Sequence, residues 1–343
     1  MKYPFLLAAL LLCSANLAAR HPDTHTLLQP DTLSLRQSDA HTVHGSDSLG
    51  MRRPDSLRQS DALSAQKSDA PFIRPPYLRP GDTIGIVTPA RKLKEKADTT
   101  KVRERFEEWG LKVKFGAHYA DREQPYFAGT DARRAADLQA MIDDPGVKAV
   151  VSYQGGYGSV RLLPLLDLTP LREHPKWIVG FSDVTMLHMA LGRLGVESLH
   201  ATMPGKFRFG ADEKPEAIVS DESLRSALFG RWTRIDAAAH PLNVSGTARG
   251  RLAGGNLSLL CSAIGTPEQP DFDTPTVLFI EEIGEQMYRL DRMMQQLERS
   301  GILAKCKAVL VGHFTDMLGQ KHFGVWDPVS YTHLRAHETR HDL

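Results

Sequence analysis

Apolar and polar positions divide the chain into regions of different character. Between about residues 20 and 72, apolar residues are sparse among Ser, Asp, His, Arg and Gln, with neither period-2 nor period-3.6 spacing, so no core is predicted there. From residue 73 onward, short unbroken apolar runs alternate with amphipathic stretches. Ile84-Gly85-Ile86-Val87, introduced by Pro80-Gly81-Asp82, predicts a buried strand after a turn. A helix over 101–109 closed by Gly110 follows, then a short strand at Val113-Lys114-Phe115. Residues 131–142 have helical spacing and end at Asp144-Pro145-Gly146, and 147–153 read as a strand buried on both faces. The pattern repeats with a strand at 177–181 and a helix at 184–194. Such alternation predicts an α/β fold, flavodoxin-like in its N-terminal parallel sheet, with sites at the carboxyl ends of the strands.

The regularity fades over 205–244, a polar connection with one short helix near 223–228, where the domain boundary is expected. A second, smaller α/β unit begins at 245. It has a strand running into Gly254-Gly255-Asn256, a helix at 257–264, a strand at 277–280, a helix at 287–299 and a strand at 308–311. The predicted organisation is a leader at 1–19, a linker at 20–72, an N-terminal domain at 73–204, the connection at 205–244, a C-terminal domain at 245–327 and a separate tail at 328–343. Within the linker, Ser34-Leu35-Arg36-Gln37-Ser38-Asp39-Ala40 recurs unchanged at Ser56-Leu57-Arg58-Gln59-Ser60-Asp61-Ala62, with a looser copy ending at Ala70. The unit is too short and polar for a solenoid and reads as a tether.

Met1-Lys2-Tyr3-Pro4 precedes an apolar run over 5–12, and Ala18 and Ala19 follow. The run is too short to span a bilayer and reads as a secretory signal peptide, which directs the mature chain to the periplasm or cell envelope without a membrane span. Cys13 invites a lipoprotein reading, but Leu12 stands where a small residue belongs. The formal charge of +1 offers no basic face for nucleic acid. Cys261 and Cys306 have no metal-site spacing and read as free thiols more readily than as a disulfide. No metal or cofactor is implied, and a homodimer is compatible with the sequence.

The most informative locus for chemistry is Gln154-Gly155-Gly156-Tyr157-Gly158-Ser159, between the strand ending at Tyr153 and an apolar run over 160–166 expected to be helical. A serine at a glycine-relieved strand-to-helix turn can be a nucleophile, with the Val160 N–H as an oxyanion donor. The same pattern also serves as a phosphate loop or as an N-cap without chemistry, and the residues alone leave these readings open.

Six segments taken together resemble the LD-carboxypeptidase family of serine peptidases, which includes microcin-immunity peptidases. They are Pro80-Gly81-Asp82 with its strand; Phe127-Ala128-Gly129-Thr130-Asp131 with Arg134; Gly155-Gly156-Tyr157-Gly158-Ser159; Gly180-Phe181-Ser182-Asp183-Val184-Thr185; Gly254-Gly255-Asn256-Leu257; and Phe279-Ile280-Glu281-Glu282 with Tyr288-Arg289 and Asp291-Arg292. The resemblance implies a Ser-His-Glu triad, with Ser159 as nucleophile and Glu281 as the carboxylate that orients the histidine. Glu282 is the neighbouring alternative, because successive strand residues face opposite ways. Ser182, Asp183 and Asn256 are candidate substrate contacts or, equally, helix caps. The implied substrate is a peptidoglycan peptide, cleaved at the amide joining an L-configured centre to a terminal D-alanine. A microcin-like peptidyl-nucleotide is the alternative substrate, and a non-catalytic peptidoglycan-binding protein the alternative class.

The histidine departs from the family pattern, which places it in a Gly-His pair well beyond Phe314-Thr315-Asp316. Gly312-His313 precedes that segment and reads as a solvated strand end. Past Asp327 the residues Val329-Ser330-Tyr331-Thr332-His333-Leu334 and onward change character and read as translated adapter sequence. His333, His337 and His341 are then accidental, the C-terminal domain at 245–327 is expected to be incomplete, and the catalytic base is expected to be missing from this chain, which as written would be a damaged enzyme.

Overall fold

The computed structural model describes residues 72–95, 97–210, 215–231, 240 and 243–318, with the backbone of 10–12 and 15–18. The repeats, most of the expected leader and the tail at 328–343 lie outside the described residues. In chain order the strands are β1 (Leu10–Leu12), β2 (Ala15–Ala18), β3 (Thr83–Val87), β4 (Lys112–Phe115), β5 (Val147–Ser152), β6 (Trp177–Gly180), β7 (Ser198–His200), β8 (Thr247–Asn256), β9 (Thr276–Ile283) and β10 (Cys306–Thr315).

The first sheet has the order β1-β7-β6-β5-β3-β4. Its five strands from β3 to β7 are parallel, and β1 adds antiparallel to β7 through Leu10 opposite His200. Counted within the domain the parallel order is 2-1-3-4-5, the flavodoxin-like arrangement, whose switch point lies between β3 and β5. Apolar side chains alternate between the two faces. Ala149, Val151, Trp177 and Val179 pack with Val102 and Phe106 of helix Thr99–Glu108 on one side. Val150 and Ile178 pack with Leu138 and Met141 of helix Asp131–Asp143 on the other. Burial on both faces is why these strands read as unbroken apolar runs.

Helix Pro215–Leu228 is longer than expected and is no mere connector. Leu224, Ala227 and Leu228 join the core of the first sheet, and Asp221 pairs with Arg105 at 2.8 Å. Part of the predicted connection therefore belongs to the N-terminal layer. The helix expected over 160–166 is also absent. Two 3₁₀ turns, Ser159–Arg161 and Leu163–Leu165, stand there, because Pro164 supplies no N–H for a continuing helix.

The second sheet, β10-β9-β8-β2, is parallel through β8, β9 and β10, with β2 antiparallel at its edge. Helix Thr185–Leu194 joins the two units: Leu187, Leu191 and Leu194 lie in a core of the first sheet, while Met186 and Met189 lie in the core of the second with Leu257, Leu260 and Ile280. Among the described residues no helix is long and apolar enough to cross a membrane. Cys261 and Cys306 are both free, and burial pushes each thiol up to about 12.

Candidate active site

Ser159 does not occupy the position expected of a nucleophile. Its residue is fully buried at 0% exposure. Gly158 enters the turn at φ 145°, where a Cβ would stand 2.7 Å from Arg134 Nη1. The amide hydrogens beside the hydroxyl are committed: Gly158 N–H donates to Asp183 Oδ1 at 3.2 Å and Ser159 N–H to Oδ2 at 2.7 Å. Arg134 holds the other side of the turn, donating to the carbonyls of Pro89 and Gly158 and pairing with Asp131. The hydroxyl bears on the Asp183 carboxylate and favours its ionised form, yet Oγ makes no hydrogen bond of ordinary geometry. Burial is the larger influence and raises the Asp183 pKa. A single 3₁₀ turn also carries little of the dipole that a helix N-terminus would aim at an oxyanion. The Ser159 hydroxyl is thus buried and the N–H groups beside it are occupied, which argues against the nucleophile expected there and against the oxyanion role of Val160 that depends on it.

The next strand presents a different serine. Phe181 continues β6 in extended conformation (φ −148°, ψ −174°), Ser182 turns to φ 59°, and a 3₁₀ turn Ser182–Val184 feeds directly into helix Thr185–Leu194. A left-handed serine between a buried parallel strand and a helix is a strained position, costing on the order of 1–3 kcal/mol, of the kind that lifts a nucleophile out of the backbone. Two glycines make room for it. A Cβ on Gly180 would stand 2.7 Å from Val184 Cγ2, and one on Gly155 would stand 3.1 Å from both Cβ and Oγ of Ser182. Ser182 is half-buried rather than sealed. The Asp183 N–H lies in the first turn, where it needs no intrahelical acceptor, and borders Gly155. The sequence signal was Gly180-Phe181-Ser182 at the end of a buried strand, the first half of a Gly-x-Ser-x-Gly elbow, with Val184 in place of the second glycine.

On the facing sheet, Asn256 ends β8 opposite Glu281 of β9. Its backbone N–H donates to Thr185 Oγ1 at 3.1 Å, three residues past Ser182. The Asn256 side chain is fully used: Nδ2 donates to Glu282 at 2.7 Å, and Oδ1 accepts from Ser258 Oγ at 2.7 Å and from Leu259 N–H at 3.3 Å. Glu282 also accepts from the N–H groups of Ser258 and Ile283 at 2.8 and 2.9 Å. Asn256 and Asp183 are each buried with their side chains in internal hydrogen bonds, and Asn256 caps the helix Leu257–Ser262, the capping role that the sequence offered beside substrate contact. Glu281 faces the other way, and its Oε1 is buried without a partner. Burial first, and then the Glu282 charge, push its carboxyl up to about 8, against a smaller contribution from the Asn256 amide. Of the two acids, Glu281 has the free valence and Glu282 is structural.

No histidine on these elements fits the role of base. His188 is held by Ser198 Oγ and the Gly180 carbonyl, both at 2.9 Å, and burial lowers its pKa to about 4. His200 packs against Phe279 with ring centroids 5.1 Å apart and is lowered to about 3, by burial first and then by His188. His313 is exposed, at the irregularity of β10 between Val311 and Phe314.

Comparison with known proteins gives two family matches: the LD-carboxypeptidase N-terminal domain over residues 84–201 and the LD-carboxypeptidase C-terminal domain over residues 249–339. The chain belongs to the LD-carboxypeptidase family. The murein tetrapeptide carboxypeptidase of Pseudomonas aeruginosa is 31% identical to it over 241 residues, 68% of this chain and 76% of that protein. A muramoyltetrapeptide carboxypeptidase from Oxalobacter formigenes has the same fold at a TM-score of 0.65 and 29% identity, covering 74% of this chain and 84% of its own. The microcin C7 self-immunity protein MccF matches at a TM-score of 0.61 and 22% identity, covering 78% of this chain and 86% of its own, which shows a shared fold. The two LD-carboxypeptidase matches begin at β3 and β8, one for each sheet, and identify the protein as a hydrolase of the carboxypeptidase type. The second match continues past Asp327 to residue 339, across part of the stretch expected to be a foreign tail.

Proposed function

We propose that the protein is a serine carboxypeptidase that removes the terminal D-alanine from peptidoglycan-derived peptides, with Ser182 rather than Ser159 as the nucleophile. The observation that carries this reading is the left-handed Ser182 at the strand-to-helix turn, in an LD-carboxypeptidase whose other glycine-flanked serine is sealed in the interior. The Ser182 hydroxyl attacks the carbonyl of the L-configured centre, and the Asp183 N–H, following the nucleophile, stabilises the oxyanion. Glu281 orients the histidine that takes the serine proton. No histidine described on the elements around Ser182 and Glu281 fits that role, and the resemblance places it in a Gly-His pair beyond Phe314-Thr315-Asp316. The leader read from the sequence puts the reaction in the periplasm or at the cell envelope, where such peptides occur.

The test is release of free D-alanine from L-Ala-γ-D-Glu-meso-diaminopimelate-D-Ala by the full chain and by Ser182→Ala. We expect Ser182→Ala to lose several orders of magnitude in kcat, as triad serines do. Release that continues within a few-fold in Ser182→Ala sinks the nucleophile. Tight binding of the tetrapeptide without any release from the full chain favours the binding-protein alternative.

A further inference from the structure

A carboxypeptidase must recognise a free carboxylate one residue beyond the bond it cuts. The chain offers a cation at that place. In the 2-1-3-4-5 sheet the crevice at the switch point is bordered by the loops after β3 and β5. Arg91 lies in the first loop and Gly155-Gly156 in the second. A Cβ on Gly155 would touch Ser182 Oγ at 3.1 Å, whereas a Cβ on Gly156 would touch Arg91 Cβ at 2.7 Å and Tyr126 Oη at 2.8 Å. Two adjacent glycines, about 3.8 Å apart at Cα, thus have the nucleophile beside one and Arg91 with Tyr126 beside the other. The step from a scissile carbonyl to the terminal carboxylate in a peptide is of the same size.

The Arg91 backbone is fixed. Gln154 Nε2 donates to the carbonyls of Arg91 and Lys92 at 2.9 and 2.6 Å, Lys92 N–H donates to the Tyr126 carbonyl at 3.0 Å, and Ala128 N–H to the Ala90 carbonyl at 3.1 Å. Its side chain is not satisfied: Arg91 Nε is buried with no partner among the described residues. Neighbouring arginines differ, since Arg134 and Arg161 pair with Asp131, and Arg133 with Asp121 and Glu123. Lys94, Lys206 and Arg208 share the neighbourhood. The Lys206 pKa is lowered by burial first and then by Arg208, Lys94 and Arg91, against a contribution from Asp316. A buried guanidinium N–H without an acceptor, among like charges, is a costly arrangement that an anion relieves.

We propose that Arg91, with the Tyr126 hydroxyl beside it, receives the terminal carboxylate of the substrate and so restricts the enzyme to free C-termini; this rests on Ser182 being the nucleophile. The guanidinium offers paired N–H donors that match a carboxylate, which an amide or ester terminus cannot accept with the same charge.

The experiment measures binding apart from turnover. The Ser182→Ala chain is titrated calorimetrically with L-Ala-γ-D-Glu-meso-diaminopimelate-D-Ala and with its C-terminal amide. We expect the acid to bind about 30-fold more tightly, equivalent to about 2 kcal/mol. Adding Arg91→Gln should bring the ratio near one by weakening the acid alone. Arg91→Lys, which keeps the charge but loses the fork, should fall between and serves as the second variant should the glutamine chain not fold. Equal affinity for acid and amide in the parent, no binding of either, or a ratio unchanged in an Arg91 variant that melts at the parental temperature overturns the proposal. Release of D-alanine by the chain with Ser182 intact is scored separately. Its absence sinks the peptidase reading and leaves the acid-to-amide ratio to judge Arg91.

Discussion

The loops after β5 and β6 both follow a buried parallel strand and both carry a serine a few residues on, Ser159 and Ser182, but the backbone treats the two differently. At Ser159 the glycine Gly158 takes the positive φ, the serine sits in relaxed 3₁₀ geometry, and Asp183 occupies the amides around it. At Ser182 the serine itself takes the positive φ, and the glycines Gly180 and Gly155 lie where they clear space. A glycine-rich run next to a serine therefore does not by itself mark a nucleophile. What marks it is which residue bears the strain and whether the neighbouring N–H groups remain available. The two turns are also coupled, since Asp183, adjacent to Ser182, is the residue that closes the Ser159 turn.

The strongest way to break this comparison is to remove each hydroxyl. Ser182→Ala is expected to lose several orders of magnitude in kcat, and Ser159→Ala no more than several-fold, read as D-alanine release. Equal losses would abolish the distinction. Next, Gly155→Ala places a methyl 3.1 Å from Ser182 Oγ at a position without positive φ. A small displacement of the proposed nucleophile should lower kcat about 10- to 100-fold with little change in melting temperature, whereas a fall in melting temperature alone would mean that the glycine serves packing. Asp183→Asn replaces an acceptor of two buried N–H groups by a group that is half donor, and should destabilise by about 1–3 kcal/mol in a denaturant titration. The smallest effect concerns Glu281. Its folded pKa of about 8 lies above the ordinary 4.5, so the stability it contributes is present below 4.5 and is lost as pH rises through about 8. The melting temperature of wild type relative to Glu281→Gln should therefore decline over that window. A flat difference would remove the claim that burial raises the Glu281 pKa.

Much of the fold was legible because burial on both faces writes itself as apolar runs, as in Val147 to Ser152, and because helices such as Met287–Arg299 keep a clean helical period. Glu281 and Glu282 were legible as a pair but could be separated only by facing, which is a property of the folded strand. The proposed nucleophile was not legible. Gly155-Gly156-Tyr157-Gly158 drew attention to Ser159 by composition, while the strain at Ser182 is a φ value that no residue letter records. The 160–166 run failed as a helix for a readable reason, Pro164, that was outweighed by its leucines. Helix Pro215–Leu228 was under-read because its first half exposes Ile218 and Val219 while burying the polar Ser220 and Asp221, the reverse of the usual amphipathic signal.

Helix Thr185–Leu194 turns Leu187, Leu191 and Leu194 toward one core and Met186 and Met189 toward the other, while its first residue holds Asn256. It works as a keystone: the elbow on one side and the glutamate-bearing sheet on the other are registered through a single rigid body. Opening the two halves like a clam would tear methionines out of packed surroundings, so the spacing between the halves is set when the chain folds. A chimera joining the first half of one relative to the second half of another should fail on solubility before it fails on chemistry, unless those methionines travel with the sheet they serve.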